Sequence, residues 1–536
     1  MRSRAALLTA ILIIGPPDSG AAQVGAAQWR AEDRVLITDF GFVTALARSS
    51  DRLFAATSGG LLVNRDVFQR WEAPVTREDG WPDQEVTAIA WDRMDRMLWL
   101  SVADGRLLSM DPEGVRWTDE VRLGRRVDRI VPDESGGGGL FLGTPAGWLH
   151  FDTFTRSTRP ASPGEVQNSI YRNPDLRARQ ELISSPGFES ARAFVGTGPD
   201  GRRWPITDVM PSGDPSRFWV ATAGDGLSML DAFSYDWRPV GVGLLGAGAT
   251  ALAADEDAVW IAAAEPLLGR YGVTRVTREL DDWLVIDSRA SPLVPDRGVG
   301  AMTVVDGRLW VAGERGVSRR EPDGSWTGIA AGQFERGDRL LAIAVGAAGS
   351  DGRRPVWVGG ERSLHRFIDP GGAPARLLSG TAVRGIQPVA AGAWVATGRG
   401  LLFVGDDGSA GPAADVPAFP AGAITGDGTR IWAGVDRHVW QREPEGGWRR
   451  VDELGALSAP VTSLATAAGV LWIGTDDELV SWRTDGRGPQ RRYTFAAGDL
   501  PLGPFGDRGI ADILALDGST VWIATPAGAL RLESPY

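Results

Sequence analysis

Leu471-Trp472-Ile473-Gly474-Thr475 places an indole inside a short apolar run that closes on a small residue and a threonine. Phe218-Trp219-Val220-Ala221-Thr222, Ala393-Trp394-Val395-Ala396-Thr397 and Val521-Trp522-Ile523-Ala524-Thr525 repeat the pattern. Looser copies centre on Phe54, Trp99, Phe141, Trp260, Trp310, Trp357 and Trp432, which makes eleven in all. Successive aromatics stand 45, 42, 78, 41, 50, 47, 37, 38, 40 and 50 residues apart. A period of about 40 to 50 residues is the length of one four-stranded propeller blade. The expected fold is therefore all-β: tandem β-propellers of four-stranded blades, about eleven blades in two rings.

Each unit divides into strands by alternation and turn chemistry. Val86 to Trp91 reads as strand A, Met97 to Val102 as B and Arg106 to Met110 as C, and Asp111-Pro112-Glu113-Gly114 turns into D around Trp117. A helical reading fails because Gly and Pro, 71 and 34 of the 536 residues, interrupt nearly every candidate helix. The repeated aromatic is assigned to packing between blades, since a lone four-stranded sheet cannot bury both faces. The last unit stops after strand C at Ser534-Pro535-Tyr536, while Gln28-Trp29-Arg30 is an unassigned D-type segment, so one ring is expected to close with a strand from the opposite terminus. Eleven blades exceed an ordinary ring. The partition expected is a first propeller over 23–275 and a second over 276–536. Six plus six with a decayed blade, or one ring inserted into the other, fits the same spacing.

The 78-residue step marks the chief irregularity. Residues from about 162 to 203 fall in a D-to-A connection, where Asn173 and Pro174 start a helix with Leu176, Leu182 and Ile183 as apolar contacts, ending before Pro186. A lid or partner-docking insertion is the favoured reading, against a decayed blade or a disordered loop.

Met1-Arg2-Ser3-Arg4, the apolar run Ala5 to Ile14 and Gly20-Ala21-Ala22-Gln23 read as a signal peptide over 1–22. The expected location is periplasmic or extracellular, with no transmembrane segment after cleavage. A net charge of -12 disfavours a nucleic-acid partner. All 56 basic residues are Arg, which removes lysine chemistry, and Cys is absent, which removes disulfides and thiol nucleophiles. The three histidines, His150, His365 and His438, lack metal-ligand spacing, so no metal and no cofactor are expected. The run Gly136 to Gly139 reads as an A-to-B hairpin loop, with no helix after it to make a phosphate loop.

The units resemble the two-component regulator propeller repeat, in Leu471-Trp472-Ile473-Gly474-Thr475, in Thr397-Gly398-Arg399-Gly400-Leu401 and in the linker Asp79-Gly80-Trp81-Pro82-Asp83-Gln84-Glu85-Val86, where Trp81 stands in place of the usual Leu. The resemblance covers nearly all of the mature chain. It implies a periplasmic sensor-type propeller, and the layout is also similar to the two-propeller accessory protein of the type IX secretion system. Members are often fused to a transmembrane segment and histidine kinase, which this sequence does not contain. The function expected is non-enzymatic ligand binding, in sensing or scaffolding. A glycan or small molecule is the expected ligand, and a separate sensor kinase or an outer-membrane assembly the expected protein partner. The alternatives are a carbohydrate-active enzyme, lyase or glycosidase, at the channel mouth, and a secretion-system or surface-assembly scaffold.

The B-to-C turns collect on the face where propeller ligands usually bind. Those of the later units are charged, at Glu314, Arg315, Glu361, Arg362, Arg399, Asp436, Arg437 and Asp477. Those of the early units are small, as in Ser58-Gly59-Gly60 and Ala223-Gly224. The mixed Arg and carboxylate set is the candidate ligand site, because guanidinium groups pair bidentately with carboxylates of an anionic glycan. No catalytic residue is assigned.

Overall fold

The computed structural model describes residues 33–533, apart from 66–67, 113–115, 193–196, 198–200, 267–268, 290–297, 331–332, 335–336 and positions 315, 445 and 489. It contains eleven four-stranded antiparallel sheets, each a propeller blade. Blades 1 to 11 are numbered here by their innermost strands: Val43–Arg48, Val86–Asp92, Arg129–Pro132, Ile206–Pro211, Gly248–Ala254, Val299–Val305, Leu340–Val345, Val383–Val389, Ala421–Gly426, Val461–Ala467 and Asp512–Ala515. The outermost strand of blade 11 is Arg34–Ile37, paired with Gly528–Glu533. The ring is thus closed by a strand from the other terminus, as expected, though by residues 34–37. Gln28 to Arg30 lie outside the described residues.

The innermost strands share one irregularity. In blades 1, 2 and 4 to 10 the register slips by one residue near the start of the strand, for example between Val43 and Ala45 and between Val461 and Ser463. The bulged residue is Thr in five blades, and in four of them its hydroxyl reaches toward the next blade, as where Thr207 donates to Val43 O at 2.8 Å, Thr250 to Val299 O at 2.9 Å and Thr462 to Ile510 O at 2.7 Å. A bulge bends the strand and strengthens its twist, which suits a blade whose edge lines a channel. The second-strand aromatics Trp219, Trp357, Trp432, Trp472 and Trp522 are almost wholly buried among residues of neighbouring blades.

Packing between innermost strands traces two circuits, the first completed between blades 3 and 4 by helices and the second by strands alone. Blade 1 contacts blade 2, blade 2 contacts blade 3, and blade 4 returns to blade 1. Blades 5 to 11 follow one another, and blade 11 returns to blade 5. Residues 275 and 276 lie within Arg270–Thr277, so a division there would cut through the third strand of blade 5. The apolar surface of that blade explains its place: Leu252, Val259 and Ile261 pack against Trp522 and Ala524 of blade 11.

In the first circuit three helices stand between blades 3 and 4: α1 (Pro163–Arg172), α2 (Pro174–Ile183) and α3 (Pro186–Ala191). Each starts with a capping side chain followed by Pro, namely Ser162, Asn173 and Ser185. That order satisfies an orphan N–H and spends proline where no N–H is needed. Val166 of α1 packs with Val131 and Phe141 of blade 3. Leu182 and Phe188 pack with Val209, Phe218 and Val220 of blade 4. The expected helix from Asn173 is present, with Leu182 buried but Ile183 exposed. Among the described residues no helix is long and apolar enough to cross a membrane.

Candidate functional site

The residue just past the bulge, or its equivalent by register where no bulge occurs, faces the next blade around the circuit. It is Ala in blades 1, 2, 5, 6, 7 and 9, Gly in blade 8 and Ser in blade 10. A larger side chain would meet the neighbouring backbone, as a Cβ on Gly385 would at 3.1 Å from Ile424 N. Three blades depart from this rule: blade 3 has Arg129, blade 4 Asp208 and blade 11 Asp512.

Asp208 and Asp512 sit where the last blade of each circuit meets the first. Leu46 N–H of blade 1 donates to Asp208 Oδ2 at 2.9 Å, and Leu252 N–H of blade 5 donates to Asp512 Oδ2 at 2.8 Å. The other carboxylate oxygen accepts the following N–H, from Val209 at 2.8 Å and from Ile513 at 2.9 Å. Arg179 of α2 pairs with Asp208 at 2.5 Å. Asp512 has no ion-pair partner among the described residues, and burial pushes its carboxyl up to about 6.

Blade 3 is followed by the helices instead of a blade, and there the packing leaves a cavity of about 430 Å³. Its walls are the innermost strands of blades 1 to 4 on one side and α1 and α2 on the other. Trp148, Ile170, Leu176 and Ile130 supply apolar surface. Gln167 and Gln180 face in from the two helices, their amides 3.2 Å apart. Arg129 lines the cavity, is exposed to it, and has no hydrogen-bond or ion-pair partner among the described residues. The stem of Arg129 and the indole of Trp148 both cover Gly143, where a Cβ would lie 3.2 and 3.1 Å from them.

The helices are anchored on three blades. Asn173 Nδ2 donates to Glu134 Oε1 at 2.8 Å and Ser169 Oγ to Asp133 Oδ1 at 3.3 Å, both in blade 3. Arg48 of blade 1 pairs with Asp175 at 3.0 Å. His150 also meets Asp133, with Nε2 at 3.0 Å from Oδ2, and belongs to this anchoring.

The charged turns of the later units lie on blades 6 to 10. The guanidinium groups donate to backbone carbonyls: Arg362 to Gly337 O at 2.9 Å, Arg399 to Gly380 O at 2.8 Å and Arg437 to Leu457 O at 2.7 Å. Glu361 and Asp436 place their N–H groups on Arg339 O and Pro420 O, and Asp477 lies 4.0 Å from Arg508. Glu314 is an exposed turn residue, and Arg315 lies outside the described residues. Sequence reasoning passed over Arg129, although the alignment of Val127-Asp128-Arg129-Ile130 with Val43-Thr44-Ala45-Leu46 and Val86-Thr87-Ala88-Ile89 exposes it as a large cation at a small-residue position.

No protein-family model and no curated protein matches the chain. Solved structures similar to it include the extracellular domain of BT4673, described as a hybrid two component system of B. thetaiotaomicron, at 12% identity and TM-score 0.40 over 92% of this chain and 70% of that one. The extracellular domain of BT3049, described likewise and from the same organism, gives 12% and 0.37 over 92% and 68%. PorZ, a bacterial surface component of the type-IX secretion system of Porphyromonas gingivalis, gives 13% and 0.42 over 92% and 68%. The fold itself stands on the eleven sheets of this chain.

Proposed function

We propose that the chain is an exported, non-enzymatic binding protein, a sensor or scaffold, that receives a small-molecule or glycan-fragment ligand in the cavity between blade 3 and the helices. We further propose that it forms two units, blades 1 to 4 with the helices and blades 5 to 11, which divide near residue 247. The observation that supports the binding reading is the cavity itself. Its volume of about 430 Å³ falls within the usual range of small-molecule sites, and it combines apolar walls with a few inward polar groups.

A ligand that binds only the folded chain raises its melting temperature. Screening metabolites and glycan fragments against the mature chain and against Ile170→Trp, which fills the cavity, tests the reading. The expected result is a melting-temperature rise in the natural chain that the filled variant lacks. Equal rises in both would move the site elsewhere.

A further inference from the structure

We infer that the cavity selects an organic anion, a small molecule with one carboxylate and an apolar body, and that Arg129 is the residue that recognises it. The inference rests on the binding reading above and names the ligand class of the same site. Four charged residues line the cavity: Asp128, Arg129, Arg179 and Asp208. Asp128 pairs with Arg126 at 2.7 Å, a guanidinium that also reaches Glu85 at 3.4 Å, and Asp208 pairs with Arg179 and accepts from two backbone N–H groups. Of the four lining charges, that of Arg129 alone has no hydrogen-bond or ion-pair partner among the described residues.

The position of that charge is informative. Everywhere else in the two circuits the same strand position is either small, to admit the next blade, or an aspartate that caps the next blade's backbone. Only at blade 3, where no blade follows, is a long cation tolerated, and it lies alongside the Trp148 indole and opposite the apolar faces of α1 and α2. A guanidinium offers a planar pair of donors to a carboxylate. Ile170, Leu176 and Trp148 offer surface for an apolar body, and Gln167 and Gln180 offer amide groups at its flank. A neutral ligand would leave Arg129 uncompensated in a half-enclosed site, and a cationic one would be repelled.

Three probes with one apolar body separate the terms: 4-phenylbutyrate, 4-phenylbutanol and 4-phenylbutylamine, titrated calorimetrically into the mature chain. The acid is expected to bind at least tenfold tighter than the alcohol, with an advantage that shrinks as salt is raised, and the amine not to bind. Arg129→Gln is expected to bring the acid down to the level of the alcohol without changing the melting temperature. Equal binding of acid and alcohol, or unchanged acid affinity in Arg129→Gln, overturns the inference. So does failure of all three probes. The binding reading fails separately, when no compound of the wider screen distinguishes the natural chain from Ile170→Trp.

Discussion

Asp208 and Asp512 hold the same position in different circuits, and each takes a backbone N–H from the first blade onto the last. Their surroundings differ. The first circuit contains a helical wedge, and α2 brings Arg179 to within 2.5 Å of Asp208. The second is blade upon blade, with small residues at the equivalent positions, and among the described residues nothing cationic pairs with Asp512. One closing device therefore acts as half of an ion pair in one ring and as a lone enclosed carboxylate in the other. The wedge that supplies the counter-charge also leaves the cavity, so closure and candidate binding site in the first ring are two results of the same missing blade.

The largest test of this contrast is removal of the wedge. Replacing residues 162–203 with a Gly-Ser linker takes away Leu182 and Phe188, each buried against blade 4 and each costing about 3 kcal/mol or more when truncated. Scanning calorimetry should show the transition of the first ring falling or vanishing while that of the second persists. A single transition lowered as a whole would mean that the two circuits fold as one unit.

Trp472→Ala makes the complementary cut. Trp472 is 2% exposed and packs with Leu36, Leu479 and Val521, inside the second circuit. A cavity of that size costs about 3 to 5 kcal/mol. Only the second transition should move, and a variant that melts like the natural chain would break the assignment of the repeated aromatic to the core.

The repeat made the eleven blades legible, because a Trp inside an apolar run every forty to fifty residues is a demand for a partner on both faces of a sheet. The partition between rings was not legible in the same way. Leu252 and Ile261 of blade 5 look like any other copy, and their partners in blade 11 lie about 260 residues away in sequence, as the bond from Leu252 N–H to Asp512 shows. The wedge was partly legible. Ser162-Pro163, Asn173-Pro174 and Ser185-Pro186 are three instances of one helix-start signal, and Ser162 with Glu165 completes a capping box. Only Asn173-Pro174 stood out, since an apolar stripe follows it. The charged turns drew attention through residue type alone, which carries no information on whether a guanidinium already has a carbonyl to donate to.

The two aspartates should respond oppositely to neutralisation. Asp512 titrates near 6 in the folded chain and close to 4 when unfolded, so folding takes up a proton between those values. That contribution is whole below about pH 4 and is lost as pH rises through about 6. Asp512→Asn removes the charge, at the expense of one acceptor, and should stabilise the second ring by about 1 to 2 kcal/mol at pH 8 while flattening its dependence on pH. Asp208→Asn instead leaves Arg179 without its partner and should destabilise the first ring by about 2 kcal/mol at the same pH. Denaturant titrations at pH 4, 6 and 8 decide, and a shared sign at pH 8 would show that the wedge is not what separates the two sites.

The smallest expected effect is also the most diagnostic of position. Arg129 stands at the strand position that is Ala45 in blade 1 and Ala88 in blade 2, both buried against a following blade. Were blade 3 followed by ordinary blade packing, Arg129 would be a buried cation, and replacing it would change stability by several kcal/mol in one direction or the other. Exposed to the cavity and without an ion-pair partner among the described residues, it should behave as a surface residue does. Arg129→Gln is then expected to alter the unfolding free energy by less than about 0.5 kcal/mol, with unchanged slope in denaturant and at high and low salt alike. A loss of 2 kcal/mol or more would show that Arg129 serves to hold α1 and α2 against blade 3, which would remove the one uncommitted charge from the cavity.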